Sequence, residues 1–421
     1  MSLCLQTAAA ADERTREVDL DVVDASTLHG KLMCGYQGWF RCPGDGTDLG
    51  WQHWGRGRDR QLGRRTGFGP GRVTVDMWPD VSEYEPNFLY DTPFRHRDGR
   101  VARVFSSADR STVMTHFRWM REYGIHGAFV QRFGNAIRSE SRRESVDAVL
   151  SHVREAAEAH GRAYAVMYDL SSMRSDAVTR LIDDWRRLSR KERVTSDANY
   201  LRHNGKPLVA VWGVGFEDRH KKYSLESCSR LVRALQTAGC SVMLGVPTGW
   251  RTLDRDAVGD ELLLDIIASA DVISPWTVGR YRSPAEVTRH YERYISEDIT
   301  WTESRGVDFL PVVFPGFSWA NLKGEELGAI PRLRGEFFET QLDAAAASGV
   351  SMCYVAMFDE VDEGTAIFKC TDDPPVGDGH AFLDMEGLPS DHYLTLAGRA
   401  ARRFERIGLS RSGDVTERAK K

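Results

Sequence analysis

Glu360 and Glu363 stand three residues apart where an apolar run, Met352-Cys353-Tyr354-Val355-Ala356-Met357-Phe358, passes into Asp359-Glu360-Val361-Asp362-Glu363-Gly364-Thr365. Carboxylates crowded against buried apolar chain repel one another unless protons, ligands or partners compensate. Such crowding pushes carboxyl pKa values apart, so that one acid stays protonated near neutrality while its neighbour is charged. Two carboxyl groups in those states suit glycoside cleavage, where one protonates the leaving oxygen and the other acts as nucleophile or base. Two alternatives for the segment stay open. One is a solvated acidic loop; the other is a divalent-cation site, although the regular Asp-x-Asp-x-Asp spacing of a calcium loop is missing.

A second group of candidates is aromatic. Tyr36, Trp39 and Phe40, then Tyr168, Trp212, Trp276, Phe317 and Trp319, all fall at the ends of strand-like runs. Flat aromatic faces suit the apolar faces of sugar rings; any one of these residues alone is more often a core side chain than a ligand platform, and it is their recurrence at six strand ends that points to a sugar site. His53, set between aromatics in Trp51-Gln52-His53-Trp54, is a candidate to bond a sugar hydroxyl, as is Asp169 after Tyr168. Gln131-Arg132 is either a polar ligand contact or part of a structural ion pair.

These residues need a scaffold that brings strand ends together. Strand-like runs occur at Leu32 to Phe40, Gly127 to Phe133, Tyr164 to Asp169, Pro207 to Trp212, Ser241 to Val246, Val272 to Trp276, Phe309 to Phe314 and Met352 to Phe358. Segments at helical spacing fill the gaps, including one marked by Val113, Phe117 and Met120 and one through Val178, Leu181, Ile182 and Trp185 that Ser175 is placed to cap. The order predicts βα units closed into one (β/α)8 TIM barrel, whose active site lies at the carboxyl ends of the strands. About seventy residues rich in Gly, Trp, Arg and Pro separate the first strand from the first helix, too long for an ordinary βα loop. They are expected to cover the active-site face. The predicted organisation is a flexible segment over 1–25, the barrel over 26–407 and a flexible tail over 408–421.

The chain has 421 residues, 41% of them hydrophobic, with 56 Lys and Arg against 61 Asp and Glu. A net charge of -5 argues against a duplex nucleic-acid partner. No apolar window reaches the length of a membrane span, and no glycine-rich phosphate loop follows a strand. Seven widely spaced cysteines without a CxxC pair fit a reducing compartment. The first residues make a poor signal peptide, so a cytoplasmic place is expected, with export the alternative if the N-terminus has been trimmed. Neither a cofactor nor a metal is expected, and the oligomeric state is open.

Gly35-Tyr36-Gln37-Gly38-Trp39-Phe40, Asp45-Gly46, Gly50-Trp51-Gln52-His53-Trp54, Val313-Phe314-Pro315-Gly316-Phe317 and Glu360-Val361-Asp362-Glu363-Gly364-Thr365 together resemble glycoside hydrolase family 99 and related family 71/99-like proteins. The resemblance spans most of the chain. It implies a (β/α)8 barrel that hydrolyses α-linked sugars, typically mannosides, with retention. By that resemblance Glu360 would deprotonate the sugar 2-hydroxyl, which displaces the leaving group through an anhydro sugar, and Glu363 would serve as acid and then base. Tyr36, Trp39, His53, Trp54, Tyr168, Asp169, Trp212, Trp276, Phe317 and Trp319 are the candidate sugar-binding residues. The family's Trp-His between the acids is Val361-Asp362 here, which removes an aromatic surface close to the sugar. A barrel that binds carbohydrate without cleaving it and a metal-dependent hydrolase built on the acidic cluster are the competing possibilities.

Overall fold

Apolar runs without alternation suit strands buried on both faces, and a computed structural model of the chain, describing residues 22–56, 67–171, 173–218, 222–377 and 379–418, assembles them into one parallel sheet. Its strands are β1 (Leu32–Tyr36), β2 (Gly127–Phe133), β3 (Ala163–Asp169), β4 (Lys206–Trp212), β5 (Ser241–Val246), β6 (Val272–Pro275), β7 (Asp308–Phe309 and Val312–Val313) and β8 (Cys353–Val355). Each pairs with the next in chain order. β8 returns to β1, with Leu32 opposite Cys353 and Cys34 opposite Val355. The two pieces of β7 close the circle, the first on β6 and the second on β8. Pro311 divides them because it has no amide to donate; Leu310 N bonds Ile273 O at 2.8 Å and Pro311 O accepts from Tyr354 N at 2.9 Å. The expected barrel is therefore the observed one.

Helices α1 (Arg110–Tyr123), α2 (Glu140–His160), α3 (Val178–Arg186), α4 (Leu225–Thr237), α5 (Leu262–Ala268), α6 (Pro284–His290), α7 (Ser296–Glu303), α8 (Ala320–Lys323), α9 (Glu336–Ala347) and α10 (His392–Arg418) fill the connections. Gly124 and Gly161 end α1 and α2 in the left-handed conformation that glycine adopts without steric cost. Ser175 does not cap α3: a 3-10 turn over Ser175–Ala177 intervenes, and the Ser175 hydroxyl accepts from Ser224 N at 3.0 Å instead.

Strand alternation sorts the barrel side chains into an inner and an outer set. Phe129, Gln131 and Met167 meet Tyr354 inside: the Phe129 and Tyr354 rings lie 5.3 Å apart, and Gln131 Nε2 is 3.3 Å from the Tyr354 hydroxyl. Tyr36, Arg132 and Tyr168 point outward to the helices. The long connection after β1 is more than a covering loop, since it holds an antiparallel hairpin of Leu89–Arg95 with Val101–Phe105. Part of that connection, 57–66, and most of the predicted 1–25 segment lie outside the described residues. No helix among the described residues is long and apolar enough to cross a membrane.

Candidate active site

Beyond β8 the chain turns back on itself. Thr365 N and Ala366 N both bond Glu360 O at 3.1 Å, and Ile367 N bonds Met357 O at 3.1 Å. Gly364 sits at φ 65°, and a Cβ there would meet the Ser318 Cβ and amide nitrogen at 3.0 Å. Only glycine fits both demands. From behind, Arg332 Nη2 donates to Gly364 O at 2.9 Å and Ala366 O at 2.6 Å, while Ser318 N donates to Glu363 O at 2.9 Å. The loop carrying the acids is thus pinned by its own backbone, by the segment after β7 and by one buried guanidinium.

The end of β1 receives two of the carboxylates. Asp359 accepts from Gln37 N at 2.7 Å and Gly38 N at 2.9 Å, one oxygen to each amide. Glu360 accepts from Gln37 Nε2 at 2.5 Å and from the Thr365 hydroxyl at 2.6 Å. Asp362 lies 3.0 Å from His53 Nδ1, and the His53 ring stacks on Trp39 at 3.8 Å with 7° between planes. Glu363 is half-buried, with Asp169, Trp319 and Lys323 close enough to influence its charge.

Burial sets the charge states. It raises Asp359 to about 7, against the two amide bonds that favour its anion. Burial, then the charges of Glu363 and Asp362, raise Glu360 well above the ordinary range even though Thr365 and Gln37 donate to it. Burial followed by Asp362 raises Glu363 to about 8, opposed by Trp319 and Lys323. Burial and the neighbouring carboxylates thus push both glutamates towards their protonated forms near neutrality.

A cleft of about 1110 Å³ opens beside this cluster, walled by Trp39, Gln52, His53, Gln131, Phe133 and Asp362 among others. It exceeds the size of ordinary small-ligand pockets and suits more than one sugar ring. Neither Glu360 nor Glu363 is part of its wall; Gln37 and Asp362 belong to both and connect the cleft to the acids. Gln37, Gln131 and Asp362 each bury one side-chain oxygen without a hydrogen-bond partner. Acceptors left unpaired cost free energy that a ligand hydroxyl would recover.

The predicted site residues divide into groups. Trp39 and His53 face the cleft, and Asp169 and Trp319 act on Glu363. Trp212 and Trp276 pack edge to face at 5.3 Å, with Trp276 6.1 Å from Tyr354. Phe317 packs on Trp319 at 4.9 Å.

Three aromatics go elsewhere. Tyr36 is outward-facing, its hydroxyl 2.9 Å from His116 Nδ1 on α1. Tyr168 alternates with the inward Asp169 and donates to Asp184 on α3 at 2.8 Å. Trp54 is buried against Phe40 and Phe105, donating to Phe105 O at 3.1 Å. Arg132 is likewise structural, forming a fork on Asp184 at 2.5 and 2.7 Å, whereas Gln131 reaches the cleft. Gln37, Thr365 and Lys323 join the site without any signal of their own type or spacing. Gln37 and Thr365 are visible in the sequence only as neighbours of motif residues, and nothing around Lys323 connects it to Glu363.

Fold and site together define a (β/α)8 barrel with a buried, crowded carboxyl cluster at the carboxyl ends of its strands. No protein-family model matches the sequence, and no curated protein matches it. Among solved structures, the fold is similar to the GH99 endo-alpha-mannosidase from Bacteroides thetaiotaomicron, at 16% identity and a TM-score of 0.63 over 90% of this chain and 99% of that one. The same enzyme in complex with bis-tris-propane matches with a TM-score of 0.60. A protein described as glycoside hydrolase-like matches at 14% identity and a TM-score of 0.50, over 80% of this chain and 97% of its own. The likeness in fold agrees with the family that the sequence motifs resemble.

Proposed function

We propose that this protein is a glycoside hydrolase that cleaves an α-linked, mannoside-like sugar with retention, using Glu360 and Glu363. The observation that carries this assignment is the pair of glutamates at the barrel mouth, joined through Gln37 and Asp362 to an aromatic cleft of oligosaccharide size. Glu360, held by donors on both oxygens, is the fixed member. In its charged form it would take the proton of the sugar 2-hydroxyl. That oxygen would then attack the anomeric carbon and expel the leaving group. Glu363, kept protonated by burial and by Asp362, would give its proton to the departing oxygen and recover one from water in the second step. Trp39 lines the cleft with His53 stacked on it at 3.8 Å and bonded to Asp362 and with Phe133 stacked at 5.2 Å, and would offer a sugar the part of its ring that these leave open.

The metal-dependent alternative fits less well. Asp359 spends both oxygens on backbone amides, Glu360 spends both on Gln37 and Thr365, and Asp362 gives one to His53. Little donor capacity is left for an ion. A barrel that binds without cleaving predicts the same cleft and no turnover. A panel of α- and β-linked aryl glycosides, with wild type beside Glu363→Gln, separates the possibilities. Turnover of an α-glycoside that falls about a thousandfold in the variant is expected; equal turnover would remove Glu363 from the chemistry.

A further inference from the structure

The barrel has a second cluster with chemical capacity, at the opposite end from Glu360 and Glu363. His29 lies in the turn before β1, His203 in the Arg202–His203 strand of a short hairpin with the start of β4, and Asp308 opens β7. These segments are remote in sequence, yet their ligating atoms all lie within 4.8 Å of one another. His203 Nε2 is 2.8 Å and His29 Nε2 3.6 Å from the same Asp308 oxygen, Oδ2. Ligands about 2.0–2.1 Å from a tetrahedral ion sit roughly 3.3 Å apart, and the two observed separations bracket that value.

We propose that His29, His203 and Asp308 bind one transition-metal cation, zinc by preference, that bolts together the amino-terminal ends of β1, β4 and β7. Two imidazoles and one carboxylate select zinc and its neighbours over magnesium and calcium, which prefer oxygen ligands. The surroundings of His29 point the same way. Its Nδ1 lies 2.9 Å from the Ser351 hydroxyl. In the tautomer whose Nδ1–H donates to that oxygen, Nε2 carries the lone pair that a metal ligand must offer. Hydrogen bonds of this kind from the distal ring nitrogen orient histidine ligands and fix their tautomer.

The site is also reachable. His203 is fully buried, but the His29 and Asp308 side chains are 36% and 29% exposed, so the cluster is within reach of an ion from solvent. Since the cluster lies at the amino-terminal ends of the strands, the ion would act on stability and not on the chemistry at Glu360 and Glu363.

The full chain, stripped with a chelator and dialysed against zinc, is measured by metal analysis and by thermal melting. About one equivalent of zinc retained, a melting temperature raised by zinc but not by magnesium, and visible d–d absorption of a tetrahedral cobalt derivative are expected. His29→Gln and Asp308→Asn, at partly exposed positions, should each weaken zinc binding about tenfold or more with the far-ultraviolet circular dichroism of wild type, whereas Glu363→Gln should bind as wild type does. The absence of retained zinc in the wild type, or equal binding by the His29 and Asp308 variants, would overturn the proposal. So would loss of zinc that follows Glu363→Gln, because the ion would then sit at the other end of the barrel.

Discussion

Glu363→Gln is expected to make the protein more stable at neutral pH while removing its activity. Burial and Asp362 raise the Glu363 carboxyl from 4.5 to about 8. The folded protein therefore holds a proton that the unfolded chain releases, so stability falls as pH rises from about 4.5 to about 8. Below that window both states are protonated, and the carboxyl and the carboxamide are equivalent. At about 1.36 kcal/mol per pKa unit, the folded carboxyl costs about 3 kcal/mol at pH 7, a ceiling because the side chain is only half-buried. Spread over the unfolding entropy of a chain of this size, that is a melting temperature roughly 3–4 °C above wild type at pH 7. Differential scanning calorimetry of both proteins from about pH 4.5 to about 8.5 reads the difference directly. It should be near zero at the acid end and grow steadily towards the alkaline end. A difference that is flat with pH, or a variant less stable at neutrality, would refute the assignment of a strained, proton-holding acid to this position.

Other perturbations test the geometry. Gly364→Ala forces a Cβ onto Ser318 at a left-handed φ and should cost about 1–3 kcal/mol in urea unfolding; an unchanged midpoint would contradict the tight turn. Arg132→Met leaves Asp184 buried without its fork partner and should cost about 3–5 kcal/mol by the same assay. Trp39→Ala should raise KM roughly tenfold through loss of an aromatic platform worth about 1–1.5 kcal/mol. Tyr36→Phe and Tyr168→Phe should leave kcat/KM unchanged while each loses about 1 kcal/mol of stability. A KM effect at either tyrosine would mean that its side chain turns inward, against the alternation of β1 and β3.

The barrel is legible in the sequence because every strand and most helices carry their own local signature, and closure needs only their number and order. The antiparallel hairpin in the first long connection is harder to see. Asp98-Gly99 between two β-prone runs is a hairpin signal, but the surrounding Arg and Pro mask it. The acids stand out because packing alone does not account for an apolar run that ends in carboxylates. The aromatics are less legible. A strand end is not a single point: adjacent residues face opposite ways, so Tyr168 turns to Asp184 while Asp169 turns inward. Trp54 departs from expectation for a different reason, since burial within an irregular loop leaves no periodicity to read. Gln37 bonds Glu360, 323 positions away, and Lys323 acts on Glu363 from the end of α8; no local pattern announces such pairs.

Retention on an α-linked sugar is the outcome that most directly separates a Glu360–Glu363 pair working through the sugar 2-hydroxyl from a pair that activates water in a single displacement. Proton NMR of the first product released from a cleaved α-glycoside, taken before mutarotation, reads it. The α-anomer is expected, and β-anomer as the first product would contradict the roles given to the two glutamates.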